Sequence, residues 1–346
     1  MKHRTFRHGL WLLPLVSLFA PAARGEAPPA PTAVAKPNAK PQIVFEGPGI
    51  PGDASEQELF ISKLNGSGVA QITNDGHNKF LAHFSPDGTR LVYTKFLSGH
   101  YGDPNAETDI FTYTFATGAE TRLTALNNAY QPAWSPDGQH IVFGNYDGTG
   151  LYLMNADGSG QFLLAQPSGA PDDVIWHDIA WSNDNWIFFV VKQVINNCFK
   201  VRVDKIRPDG SSRTKVSDGG PTCTPPGMEQ YGDADPGLSA DGKTVYSSRG
   251  LSPLPADPSL TLRHLYAFSS DAYYPGKVET DLSLAEKPDC IVGVPKGAPR
   301  GKGILVFLFC PDDSTPIGVT LTNTKGSLWK FVSTGFGPDW NPTTRP

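Results

Sequence analysis

Apolar and polar positions along this chain alternate in short, strand-length blocks. Runs such as LVYTKF (91–96), IVFGNY (141–146), WIFFVV (186–191) and ILVFLF (304–309) are each bounded by turn residues. No long segment repeats apolar residues every three or four positions, the mark of an amphipathic helix. Just ahead of most runs one phrase recurs: FSPDG at 84–88, WSPDG at 134–138, WSNDN at 181–185 and LSADG at 238–242. Its period is about fifty residues, close to the roughly 40–50 that one four-stranded propeller blade takes. The pattern predicts an all-β chain folded as a β-propeller.

The phrase is a tight turn with a chemical logic. Proline is already held near the φ of the second turn position, Asp accepts local backbone N–H groups, and Gly takes a positive φ that strains other residues. The aromatic ahead of it (Phe84, Trp134, Trp181) ends an inner strand, and the apolar run after it is the next strand. LYLMNADGSGQFLL (151–164) then supplies a third strand, a hairpin and a fourth.

These residues carry a family resemblance. WSPDGQHIVFGNYDGTGLYLMNADGSGQFLL (134–164) closely resembles the repeat of TolB-like β-propellers, and FSPDGTRLVYTK (84–95) is a second good match. WSNDNWIFFV and LSADGKTVYSS are weaker copies, the former lacking both Pro and Gly. The resemblance spans residues 42–342 and implies the fold. It implies little about activity, because the same repeat serves binding proteins and peptidase accessory domains.

Six blades are predicted. Blades two to five begin near Lys79, Ala129, Val174 and Tyr231, and the sixth has CIVGV (290–294) and ILVFLF as its inner strands. QIVFEG (42–47) reads as a second strand with no first strand before it, while PDWNP (338–342) mimics PAWSP (132–136) at the far end. The C-terminal strand is therefore expected to pair with the N-terminal blade and close the six-bladed ring, removing sheet edges that would template aggregation.

The N-terminus reads as an export signal. Lys2, Arg4 and Arg7 precede the apolar core LWLLPLVSLFA (10–20), and AARG (22–25) offers small residues for a cut after Gly25. The apolar stretch is too short to span a bilayer of about 30 Å. EAPPAPTAVAKPNAKP (26–41) follows as an extended Ala/Pro-rich linker, leaving 42–346 for the propeller. Removing residues 1–25 leaves 25 Lys and Arg against 34 Asp and Glu, a net charge of −9. That field argues against nucleic acid as a partner. An exported chain, in periplasm or medium, would oxidise its four cysteines. Sequence alone allows three pairings, and the predicted strands favour Cys290–Cys310 and Cys198–Cys223. No C-x-x-C spacing suggests a metal.

Propeller topology puts the SPDG and NADGSG turns on one face and the connections between strands two and three, and between blades, on the other. The second face carries the long insertions 47–58, 96–109, 217–235 and 249–263, and irregular loops on a rigid scaffold are where recognition usually sits. Polar residues expected just before the inner strands would ring the channel mouth there: Tyr130, Gln131, His177, Asp178, Asp233 and Asp235, with His77 and Asn78 nearby. Such a ring can hold a cation, a sugar or a peptide terminus, and no cofactor is called for. No G-x-S-x-G, H-E-x-x-H or Walker motif occurs. The reading is a monomeric, noncatalytic scaffold for a protein or peptide. The alternative is a carbohydrate-active, lyase-like enzyme using His177, Asp178 and Asp235.

Overall fold

The computed structural model describes residues 41–48, 57–167, 173–194, 199–219, 232–283, 285–301, 303–311, 317–327 and 329–343. Among them are 24 strands and no helix. The strands fall into six sets of four.

The first set joins β1 (Ile43–Pro48), β2 (Gln57–Ser62) and β3 (Ala70–Gln71) to the last strand, β24 (Phe336–Trp340), in the order β24-β1-β2-β3. The second runs β4 (Lys79–Phe84), β5 (Arg90–Ser98), β6 (Glu107–Thr114) and β7 (Ala119–Arg122). The third runs β8 (Ala129–Trp134), β9 (His140–Asn145), β10 (Leu151–Asn155) and β11 (Phe162–Ala165). The fourth holds β12 (Asp173–Trp181), β13 (Ile187–Val194), β14 (Phe199–Ile206) and β15 (Thr214–Lys215). The fifth holds β16 (Gly232–Leu238), β17 (Thr244–Leu254), β18 (Asp257–Ser269) and β19 (Glu279–Asp281). The sixth holds β20 (Ile291–Gly297), β21 (Ile304–Phe309), β22 (Gly318–Thr322) and β23 (Trp329–Ser333). Single parallel bridges, Val201 to Gly232 and Arg263 to Ile291, link the last three sets edge to edge.

Each set packs face to face on the next. Val44 and Leu59 meet Phe84 and Tyr93 between the first and second sets, and Ile43 and Phe45 meet Leu305 and Val319 between the first and sixth. With both faces of each sheet covered, the middle strands read as nearly unbroken apolar runs instead of alternating. The leading strands β24, β4, β8, β12, β16 and β20 touch one another in that order, and β20 touches β24. They surround a common axis.

The turn chemistry holds where the letters change. Ser85 Oγ donates to Asp87 at 2.6 Å, and in WSNDN Ser182 Oγ donates to Asp184 at 2.6 Å. Gly88 and Gly138 have φ of 68° and 69°, and Asn185 takes 66° in place of the missing glycine. Asn tolerates that region better than other residues with a Cβ.

The segment 249–263, expected as an irregular loop, is instead a continuation of the β17–β18 ladder out to Leu254–Asp257. Its prolines misled the reading. Pro253 lies where the hairpin projects as a two-stranded ribbon, with a register shift beside it, so its missing N–H costs little. Cys290 and Cys310 are joined by a disulfide, Cα to Cα 4.3 Å, at one end of the β20–β21 pair. Cys198, Cys223 and the expected signal and linker at 1–40 lie outside the described residues.

Candidate functional site

Every leading strand contains the same irregularity. Three residues before the turn phrase or its counterpart, the backbone enters the left-handed region: Leu81 (φ 48°), Gln131 (47°), Asp178 (43°), Asp235 (50°), Val294 (47°) and Gly337 (55°). Each sits where the register against the neighbouring strand shifts, as a bulge does. For a residue with a Cβ this costs roughly 1–2 kcal/mol, and for the β-branched Val294 it is a genuine outlier.

The bulge turns one backbone N–H out of the ladder, and in a dry interior that group would be orphaned at a cost of about 1–3 kcal/mol. The preceding set supplies an acceptor. Gln131 N–H donates to Thr94 Oγ1 at 2.8 Å, and Asp178 N–H donates to Gln131 Oε1 at 2.5 Å. Asp235 N–H donates to Asp178 Oδ2 at 3.4 Å, and Val294 N–H to Asp235 Oδ2 at 3.3 Å. Side chains at the bulge thus stitch the third, fourth, fifth and sixth sets around the axis.

Of the sequence-predicted site residues, Gln131, Asp178 and Asp235 come together in this chain of hydrogen bonds. They lie inside the leading strands, not in the loops ahead of them. The others are placed differently. Tyr130 is buried in an aromatic cluster, its ring 5.6 Å from Phe80 and 4.9 Å from Tyr146. Asp233 is fully buried in a two-bonded pair with Arg249, at 2.7 and 2.8 Å. His77 is exposed beside Asp75, and Asn78 Oδ1 accepts from Gln57 N–H at 2.7 Å. His177 belongs to β12, but its side chain lies outside the described residues.

The axis is rich in carboxyls. Burial, and then the nearby Asp235 carboxylate, push Asp178 up to about 7. Burial also raises Asp235, against the pull of Arg263 and Lys296. Glu46 on β1 is pushed well above the usual carboxylate range by burial, although the Leu81 and Ala82 N–H groups and Lys296 pull the other way. Its oxygens lie 2.6 Å from where a Cβ on Gly337 would stand, which explains glycine at that bulge. Burial holds the Lys296 ammonium below its ordinary value, partly offset by Asp339, Asp235, Asp178 and Glu46.

The two ends of the axis differ. Toward the long connections, Tyr101 of the 96–109 loop stacks on Phe80 at 4.9 Å, and Phe80 stacks in turn on Phe336 at 6.1 Å. That loop is tied to the third set, with Gly102 N–H donating to Tyr146 Oη at 3.0 Å. At the end carrying the Ser-Pro-Asp-Gly turns, a cavity of about 240 Å³ opens between the six leading strands. Phe84, Trp134, Trp181 and Trp340 contribute to its wall, with His83, Lys296 and Asp339 among its polar groups. Each of these turns is short and offers little shape by itself. The cavity arises only from six of them converging.

No protein-family model matches the chain. Over 130 residues it is 32% identical to the protein TolB homolog of Chlorobaculum tepidum, covering 37% of this chain and 27% of that one. The Tol-Pal system protein TolB of Anaeromyxobacter dehalogenans is 29% identical over 121 residues, 34% of this chain and 26% of that one. The chain spans about a quarter of the length of these curated relatives. TolB from Acinetobacter baumannii superposes with a TM-score of 0.61 at 15% identity, over 88% of this chain and 67% of that one. The chain is thus similar to TolB proteins over about a third of its sequence, and to TolB in fold. An oligogalacturonate lyase in complex with manganese gives a TM-score of 0.50 at 12% identity, over 81% of this chain and 76% of that one. At such identities the structural likeness concerns the TolB-like fold alone.

Sequence reasoning missed Leu81, Val294, Gly337, Glu46, His83, Lys296 and Asp339. A usable signal was present for the bulges. Gln131, Asp235, Val294 and Gly337 are each followed by proline, in the phrases QPAW, DPGL, VPKG and GPDW. Proline has no N–H to lose from the ladder, which suits a bulge. For the cavity residues no local signal exists, because they come from separate sets of strands.

Proposed function

We propose that this chain is an exported, noncatalytic scaffold that binds a protein or peptide partner. In this reading residues 1–25 are a signal, 26–41 a tether, and the six sets of strands are the blades of one ring, closed where β24 pairs with β1. The observation that carries it is the TolB-like repeat on a TolB-like fold, together with relatives named as components of the Tol-Pal system. Two elements on the long-connection face suit recognition: the Tyr101 loop, held in place by its bond to Tyr146, and the β17–β18 hairpin.

The test uses the mature chain as bait in native envelope extracts, with bound proteins identified by mass spectrometry. A specific partner should be captured and then lost when 99–106 is replaced by a Gly-Ser turn or the β17–β18 hairpin is cut back to the sheet. Shortening the NADGSG hairpin should leave capture intact. Capture no better than an unrelated propeller bait would defeat the scaffold reading. Cleavage of a polyuronate by the chain, abolished in His177→Ala, would favour the lyase-like enzyme.

A further inference from the structure

We infer that the cavity at the Ser-Pro-Asp-Gly end of the axis is a binding site for a carboxylate carried on an apolar body, either the C-terminus of a peptide or a free organic acid. This goes beyond the scaffold reading, since it concerns the opposite mouth of the ring.

The cavity is divided by chemistry. Its ionisable groups, His83, Lys296 and Asp339, come from the second, sixth and first sets, with Ser135 and Asn183 at the turns as neutral polar groups. The facing wall is apolar, with Ala133, Ile179, Ala180 and Leu238 from the third, fourth and fifth sets. At about 240 Å³ it is a little smaller than the roughly 300 Å³ at which sites for drug-sized ligands begin. A single side chain or a short branched acid fits that space.

The polar groups are not equally available. The Asp339 carboxylate accepts from Phe84 N–H at 2.9 Å, and its Oδ2 lies 3.7 Å from His83 Nδ1. Lys296 makes no side-chain hydrogen bond or ion pair among the described residues, and the carboxyls around it act only at longer range. Its backbone is fixed, because Trp340 Nε1 donates to Lys296 O at 2.8 Å. A half-buried ammonium with spare donors, on the wall of a cavity, is matched by a carboxylate, and charge-assisted bonds are roughly twice as strong as neutral ones. Burial raises Glu46, Asp178 and Asp235, so those carboxyls oppose an incoming acid less than exposed ones would, and the Asp339 carboxylate is already engaged by Phe84 N–H.

The experiment is isothermal titration of the mature chain, with tryptophan fluorescence as a second readout. The probes are N-acetyl-Gly-Leu, its C-terminal amide, 4-methylpentanoate and 4-methylpentanamide. Each acid should bind about tenfold more tightly than its amide, the discrimination expected of one charged hydrogen bond. Lys296→Met should abolish the difference and Lys296→Arg should keep part of it. Leu238→Phe, which narrows the apolar wall, should weaken both members of each pair while preserving their ratio. It also guards against a Lys296 variant that fails to fold. Tighter binding of the peptide than of the free acid names the peptide as the source, and the reverse names the acid. Equal binding of acid and amide, binding unchanged in a folded Lys296→Met protein, or no binding of any probe at millimolar concentration overturns the inference. Partner capture that survives such a result leaves the scaffold reading standing. Lys296-dependent acid binding without any captured partner would leave this inference alone.

Discussion

The six bulge positions are equivalent in backbone and opposite in chemistry on the two sides of the axis. On the third, fourth and fifth sets they are Gln131, Asp178 and Asp235, whose side chains accept the next set's turned-out N–H. On the second, sixth and first they are Leu81, Val294 and Gly337, which offer no acceptor. There the load passes to second strands: Thr94 on β5 serves Gln131, and Glu46 on β1 faces Leu81. The backbone device is set by the fold, whereas the means of satisfying it is local and replaceable. The polar side carries the shifted carboxyls Asp178 and Asp235 at the bulges themselves. The other side carries aromatic packing and the closing strand, with its shifted groups, Glu46 and Lys296, away from the bulges.

That comparison can be broken most severely at the closing strand. Deleting 336–346 removes β24, exposes the edge of β1 and loses the buried Trp340, itself worth on the order of 2–3 kcal/mol. Thermal unfolding should shift down by many degrees and the protein should self-associate. A truncated chain that is monomeric with an unchanged Tm would show that β24 does not complete the fold.

Asp178→Asn sharpens the polar side. A carboxyl pushed up in the folded state costs stability as pH rises, from its unfolded value of about 4 to about 7. Asn keeps an oxygen to accept the Asp235 N–H and cannot ionise. The variant should match the parent near pH 4 and exceed it above pH 7 by up to about 4 kcal/mol, the linkage equivalent of a rise from about 4 to about 7. Parallel stability curves across that range would show that the pair does not share its burden as described.

Gly337→Ala tests the apolar side at a single atom. The new Cβ would meet the Glu46 carboxyl at 2.6 Å from a backbone with φ 55°. A loss of about 2 kcal/mol is expected in urea denaturation. No loss would mean that Glu46 can move aside.

Gln131→Leu has the smallest expected effect. It takes away the acceptor of Asp178 N–H while keeping the volume, for a cost of about 1 kcal/mol. Faster amide exchange at Asp178 is the direct readout, and unchanged protection there would place the acceptor elsewhere.

How far the sequence could be read depends on range. The turn phrase, the strand boundaries after it, the start of the second set at Lys79 and of the third at Ala129, and the orphan second strand, expected at 42–47 and found at Ile43–Pro48, are all legible in the sequence. They rest on local chemistry: proline, Asx turns, glycine and apolar runs. The β17–β18 hairpin was misread because Pro253 and Pro258 mark loops in most contexts, and only its two-stranded projection makes them harmless. Within the candidate site, Gln131, Asp178 and Asp235 were picked from their place relative to the inner strands. Tyr130 and Asp233 were picked by the same rule, yet one is packed among aromatics and the other is paired with Arg249. In a strand, adjacent residues point to opposite faces, which separates Tyr130 from the axial Gln131; Asp233 lies on the regular ladder opposite Arg249, ahead of the bulge at Asp235.

The sequence by itself determined the all-β class, the repeat and the turn geometry, including the substitution of Asn185 for glycine. These are set by residues within a few positions of one another. Only the tertiary structure decided which polar groups share the axis. Glu46 and Asp339 stand almost three hundred residues apart in the chain, and both act on Lys296. Their meeting follows from the sets of strands packing around one axis, and no local pattern encodes it.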